Sequence, residues 1–315
     1  MCTWRWRNSA TSASRAPPWR GSARSTASRS RRWSSRRPGS STDPMPDSLT
    51  TPRSETLPPD AISDVLLPVV EELGLVGNCR QLAAEGWTVI ENAADPEFVA
   101  RLRRRILADG TSFMRLDKDP VYAEAALNRK VLAIAEFSVG RGFLLYGLTT
   151  SVRGEGAPAM HLHADQSLVP APFPDHNMML VACWACDDCT REGGTTLVIP
   201  GTKALRRLPR EDEAGDLSGA IPIECPAGSI IVWDGSIWHG NWPRTIPGER
   251  VVLHAVYTRL LMRPGESYVH AADELIETWG KRMSQLLGRE DYLDEKDFDW
   301  VNDPRNLQTK INVRL

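Results

Sequence analysis

The chain has 315 residues, with 38 basic against 40 acidic side chains and a formal net charge of −2. Its 41% hydrophobic and 25% charged residues suit a globular protein with a sizeable core, and no apolar run approaches the roughly 20 residues that a membrane-spanning helix needs. Six cysteines are too few for a disulfide scaffold at this length, so a reducing cytoplasm is the expected location.

The near-neutral total conceals a split. Residues 1–42 hold ten arginines and neither lysine nor acid, which leaves 28 bases against 40 acids to the rest of the chain. No Leu, Ile or Val precedes Leu49. Residues 1–48 therefore read as a disordered Arg/Ser-rich tail, unable to bury enough apolar surface to offset its ordering entropy. Its arginines, with Trp4, Trp6, Trp19 and Trp33, would suit a nucleic-acid arm. A transit peptide would need an apolar face that is missing here. The composition is best met by a true start near Met45, with residues 1–44 outside the native protein. No apolar core of a secretory signal is present.

After a Pro-rich lead, Ala61–Leu75 and Cys79–Gly86 read as short helical pieces and Trp87–Glu91 as a strand. Asp95-Pro96-Glu97 caps and opens a helix with Phe98, Leu102 and Ile106 on one face. A single further helix is expected over Val121–Ser138. From Gly142 onward, short runs rich in Leu, Val, Ile, Thr and Trp alternate with turn clusters: Phe143–Arg153, Met160–Ser167, Met178–Ala185, Thr195–Ile199, Gly219–Ile223, Ser229–Trp233 and Arg250–Leu261. That rhythm reads as an all-β sandwich or jelly roll. Ala272, Leu275, Ile276, Trp279, Met283 and Leu286 then mark one amphipathic helix, and Arg289–Leu315 is charged and irregular.

The segment richest in chemistry is Met160-His161-Leu162-His163-Ala164-Asp165-Gln166. Alternation along a strand puts His163 and Asp165 on one face, as two arms of a metal site. His239, delivered by a strand, a tight turn and a second short strand, is the candidate third ligand. Two histidines and one carboxylate on one side of a metal leave three positions open, the arrangement of non-haem Fe(II) oxygenases. His161 shares the face of His163 on this reading and stays open as an alternative ligand or a pocket-lining residue. Arg250 opens an apolar strand, where a guanidinium is costly unless it meets an anion. A dicarboxylate would answer it with a bidentate fork; pairing with Glu249 or Asp234 is the plainer alternative. His254 falls on the same strand face as Arg250. Cys183, Cys186 and Cys189 are spaced like a metal motif, but cysteines three apart on a strand point to opposite faces.

The segment from His163 to Arg250 resembles the phytanoyl-CoA dioxygenase family of Fe(II)/2-oxoglutarate oxygenases. The matching pieces are His163-Ala164-Asp165-Gln166, Cys183-Trp184, Gly194-Thr195-Thr196-Leu197-Val198-Ile199-Pro200-Gly201-Thr202, His239-Gly240 and Arg250, with Glu85–Glu91 and Asp95-Pro96-Glu97 upstream. The resemblance implies a double-stranded β-helix (jelly roll), mainly β with flanking helices. It implies His163, Asp165 and His239 as iron ligands, Arg250 as the clamp on the distal carboxylate of 2-oxoglutarate, Trp184 lining the cosubstrate pocket and Asn241 helping to hold that carboxylate. The family's Pro-Gly-Ser/Thr-His ends here in Lys203. The carboxylate of Asp165, where related halogenases carry Gly or Ala, argues for hydroxylation.

The resulting expectation is a tail over 1–48, an oxygenase domain over 49–265, and a C-terminal helix and tail over 266–315 that pack on the core. The activity expected is Fe(II)- and 2-oxoglutarate-dependent hydroxylation of a small organic molecule by O2, with ascorbate as an activator in vitro and no catalytic residue beyond the metal ligands. Neither a membrane nor a nucleic acid is an expected partner, the Arg-rich tail aside. A cupin-type jelly roll that binds metal without 2-oxoglutarate is the alternative, and it leaves Arg250 without work.

Overall fold

The computed structural model describes residues 61–289, and the expectations for 1–48 and for 290–315 lie outside the described residues. Helices come first. Of the expected Ala61–Leu75 piece, α1 covers only Leu67–Glu72; α2 covers Val76–Glu85 and stops at Gly86, whose φ of +82° is cheap only without a Cβ. The strand β1 (Trp87–Ile90) leads into α3 (Pro96–Asp109). Asp95 accepts the Phe98 amide at 2.8 Å, and Pro96 occupies the first turn, where no amide is needed. The helix expected over Val121–Ser138 is two helices, α4 (Pro120–Ala126) and α5 (Arg129–Val139). The break falls at Asn128, whose side chain accepts the Lys130 amide at 3.0 Å and so starts a new helix.

Eight further strands follow: β2 (Leu144–Gly154), β3 (Met160–His163), β4 (Met179–Ala185), β5 (Thr196–Val198), β6 (Ile221–Pro222), β7 (Ile230–Asp234), β8 (His239–Asn241) and β9 (Glu249–Thr258). They pair antiparallel in two sheets, β1-β7-β4-β9-β2 and β3-β8-β5-β6. The fold is mainly β with flanking helices, the jelly-roll class.

Two cores explain why the larger sheet is apolar on both faces. All seven residues of β4 are buried. Leu180, Ala182 and Trp184 join Phe98, Leu102 and Ile134 beneath the helices, whereas Val181, Cys183 and Ala185 join Val198, Ile231 and Trp233 between the sheets. Each large aliphatic side chain so buried contributes about 1.5–3 kcal/mol. The final helix expected from Ala272 also divides, into α6 (Ala272–Trp279) and α7 (Lys281–Leu286), at Gly280 with φ +74°. α7 buries Met283 and Leu286 in the helix-side core, and Gln285 Nε2 donates to the Phe143 carbonyl at 3.1 Å. Glu266 accepts the amides of Met114 and Leu148, each at 2.8 Å, and so ties the chain after β9 to β2. Among the described residues no helix is long and apolar enough to cross a membrane.

Candidate metal centre

Three strand ends converge. Where β3 pairs with β8, the register shifts between Met160↔Asn241 and His163↔His239, so two residues of β3, His161 and Leu162, oppose Gly240 alone on β8. The bulge turns both Met160 and His163 toward the cleft between the sheets, and leaves His161 exposed and away from its lining. The alternation expected for His161 and His163 is thereby broken, and His161 lies outside both the triad and the cleft lining. Gly240 sits at the crossing, where a Cβ would lie 2.5 Å from the Met160 carbonyl oxygen, so only glycine lets the strands approach.

His163, Asp165 and His239 each offer an atom within 4.8 Å of the others. His239 Nε2 is 3.3 Å from Asp165 Oδ2, and His163 Nε2 is 3.8 Å from Asp165 Oδ1. The two imidazoles stand with centroids 4.2 Å apart. Each Nδ1 faces a backbone carbonyl two residues back: His161 O at 3.0 Å for His163, and Ile237 O at 3.1 Å for His239. A carbonyl only accepts, so each Nδ1 carries the proton and each Nε2 presents a lone pair to the centre. Burial lowers the His239 pKa, against the raising effect of Asp165, which favours the neutral imidazole that binds a metal.

One partner escaped the sequence reading. Trp233 on β7 donates its indole N–H to Asp165 Oδ2 at 2.8 Å, and its ring centroid lies 5.0 Å from that of His239. It fixes the carboxylate oxygen that stands 3.3 Å from His239 Nε2, the part an outer partner plays at a metal centre. A tryptophan within an apolar strand reads as core, so nothing local marked it.

The triad opens on a cleft of about 410 Å³. Phe113 and Met160, 68% and 42% exposed, stand among its lining, which also includes Thr149, Ser151, Thr196, Asn241 and His254. Near Asn241 lies Arg250, 1% exposed. Its Nη1 donates to the Gly194 carbonyl at 2.6 Å, and Asn241, with its amide oxygen turned to the guanidinium, accepts from Nη1 and Nη2 at 3.1 Å. Arg250 Nε is buried without a partner, and among the described residues no carboxylate pairs with Arg250. Glu249 is exposed, and Asp234 is occupied by Lys203 Nζ at 2.8 Å and by the Ser236 amide at 2.9 Å. The plainer pairing weighed for Arg250 is therefore not the one formed. The same contact gives Lys203 its structural place.

Trp184 departs from expectation. It belongs to the helix-side core, with its ring centroid 5.3 Å from that of Phe98, on the face of β4 turned away from the cleft. Strand alternation gives the inward positions to Val181, Cys183 and Ala185, so Trp184 is a packing residue and not a pocket wall. The cysteines also divide: Cys183, Cys189 and Cys225 lie between the sheets, and Cys186 lies under the helices. Burial pushes the Cys183 thiol up to about 12.

Comparison with known proteins adds three findings. Residues 122–252 match the family model described as Phytanoyl-CoA dioxygenase (PhyH). Dioxygenase af480 of Aspergillus fumigatus is 33% identical over 175 residues, covering 54% of this chain and 55% of that protein. Among solved structures, HygX from Streptomyces hygroscopicus with iron bound aligns with a TM-score of 0.51 and 16% identity, over 65% of this chain and 89% of that one. EctD from S. alaskensis with 2-oxoglutarate and 5-hydroxyectoine aligns with a TM-score of 0.51 and 19% identity, over 66% and 81%. At such identities these two likenesses bear on the fold. The chain spans about half the length, or less, of the curated relatives that it matches.

Proposed function

We propose, from the match of residues 122–252 to the phytanoyl-CoA dioxygenase family model, that this protein is a non-haem Fe(II)/2-oxoglutarate-dependent dioxygenase that hydroxylates a small organic molecule. His163, Asp165 and His239 would hold the metal, and Arg250 with Asn241 would hold the distal carboxylate of 2-oxoglutarate. The observation that carries the reading is Arg250: a guanidinium 1% exposed, with Nε unpartnered and no protein carboxylate on it among the described residues, bonded to Asn241 in the lining of a cleft that holds a two-His, one-carboxylate set. A buried charge of that kind is costly without an anion, and a carboxylate answers it bidentately. A metal-binding jelly roll that used no 2-oxoglutarate would leave this cost unmet.

Fe(II) with 2-oxoglutarate and O2 supplies, when bound, an oxidant able to take hydrogen from an unactivated C–H bond, with succinate and CO2 as coproducts. The chain's own residues do the rest. His161 and Ile237 carbonyls hold the ligand tautomers, Trp233 fixes the Asp165 carboxylate, and the inter-sheet core around Val181 and Ile231 keeps water from one side of the site. The open mouth near Phe113 and Met160 admits the substrate, and these exposed apolar side chains favour one with an apolar face. HygX and EctD have been solved with hygromycin B and 5-hydroxyectoine respectively, and a small-molecule substrate is proposed here by the same logic.

The test is succinate formation from 2-oxoglutarate by purified protein with Fe(II) and ascorbate, without added substrate, beside His163→Ala. Slow turnover that His163→Ala abolishes supports the reading. Turnover that His163→Ala leaves intact would contradict the assigned metal ligands.

A further inference from the structure

One histidine in the cleft is used by neither the triad nor the Arg250–Asn241 pair. β9 presents Arg250, Val252, His254 and Val256 to the space between the sheets, and His254 lies across from Thr149 on β2 and Cys183 on β4. Its ring meets Trp233 edge-on, with centroids 5.9 Å and planes 75° apart. Among the described residues neither ring nitrogen of His254 has a hydrogen-bond partner. Burial first, and the charge of Arg250 second, hold its pKa down to about 4, so at neutral pH the ring offers one N–H and one lone pair. The ring is half-buried and faces the cleft, so its N–H stands within reach of an acceptor on a bound ligand.

Its level in the cleft says which acceptor. Asn241, beside Arg250, and His239, in the triad, are two residues apart on β8, about 7 Å along the strand. A five-carbon dicarboxylate held at one end by Arg250 brings its other end to the level of the triad. His254 is at that level through Trp233, whose ring it meets and whose indole N–H Asp165 accepts.

We propose that His254 is a positioning residue that donates its ring N–H to the carboxylate of 2-oxoglutarate next to the metal, and so fixes the plane in which the 2-oxo acid chelates. The inference rests on the function proposed above. It assigns to His254 the cosubstrate's near end, where Arg250 and Asn241 hold the far end.

The experiment is an anaerobic titration of 2-oxoglutarate into the Fe(II) forms of the wild type, His254→Gln and His254→Leu. It reads both the Kd and the visible charge-transfer band of the chelated 2-oxo acid. His254→Leu should weaken binding about tenfold, one charge-assisted hydrogen bond of about 1.4 kcal/mol, and displace the band. His254→Gln retains a donor and should stay within about threefold. Thermal unfolding verifies that each variant is folded; should the leucine variant not fold, His254→Met replaces it, flexible and without a donor. A leucine or methionine variant with wild-type Kd and band overturns the proposal, as does a glutamine variant that loses as much as leucine. A wild type that shows no band with Fe(II) and 2-oxoglutarate overturns the underlying oxygenase reading instead, so the two failures are told apart.

Discussion

Replacing Trp233 by phenylalanine keeps an aromatic ring in the inter-sheet core but removes the N–H that Asp165 Oδ2 accepts at 2.8 Å. A hydrogen bond to a charged acceptor contributes about 1.5–3 kcal/mol, or about 10–100-fold in an equilibrium constant. Loss of an outer partner of a metal ligand costs the same order in metal affinity. Trp233→Phe should therefore bind Fe(II) about 10–100-fold more weakly, measured anaerobically by competition with a coloured chelator. Some stability will be lost as well, because the smaller ring leaves a gap beside Ile231 and Val181. Trp184→Phe separates the two effects. Trp184 sits in the helix-side core with its indole nitrogen unpartnered, so that variant should lower the Tm while leaving Fe(II) affinity unchanged. A Trp233→Phe protein with wild-type Fe(II) affinity, or a Trp184→Phe protein that loses it, would refute the assignment of Trp233 as the residue that orients Asp165.

Lys203→Met leaves Asp234, 2% exposed at its side chain, with only Ser236 to satisfy it. Removing one partner of a fully buried pair costs about 3–5 kcal/mol, and because Lys203 is itself 31% exposed a smaller loss, about 2–3 kcal/mol, is expected as a reduced urea midpoint with unchanged slope. The acid limb of metal-free stability should report His254. Its folded pKa, about 4, lies below the unfolded value near 6.5, so the folded state binds fewer protons. Its contribution is then whole above pH 6.5 and is lost as pH falls from there toward about 4, at most about 3 kcal/mol. Urea unfolding of apo His254→Leu across that range should show a flatter acid limb than the wild type, and an identical limb would contradict the burial argument.

The β architecture and the triad are legible in the sequence because both follow from strand periodicity. Short apolar runs between turn clusters mark the strands, and His163-x-Asp165 followed by a histidine after a tight turn supplies two imidazoles and a carboxylate. Arg250 is legible for an energetic reason, since a guanidinium opening an apolar strand calls for an anion. What stays hidden depends on register and facing. The bulge that turns His161 outward arises only when β3 meets β8, and no local pattern announces two residues opposite one. Trp184 cannot be assigned a side from sequence because β4 is apolar throughout, buried under helices on one face and against the second sheet on the other. Trp233 is hidden for the same reason. The breaks at Asn128 and Gly280 are carried by a helix-capping amide and a glycine at positive φ, while the apolar spacing runs on through both sites and by itself predicts one helix at each.

The most direct measurement is calorimetric titration of 2-oxoglutarate, without oxygen, into wild type and Arg250→Ala, each with and without Fe(II). The account predicts one 2-oxoglutarate per wild-type chain when Fe(II) is present. It also predicts at least about tenfold weaker binding in Arg250→Ala, the cost of a lost bidentate charge pair, with Fe(II) affinity retained. Equal affinity of wild type and Arg250→Ala for 2-oxoglutarate, or no binding to the Fe(II) form, would contradict it.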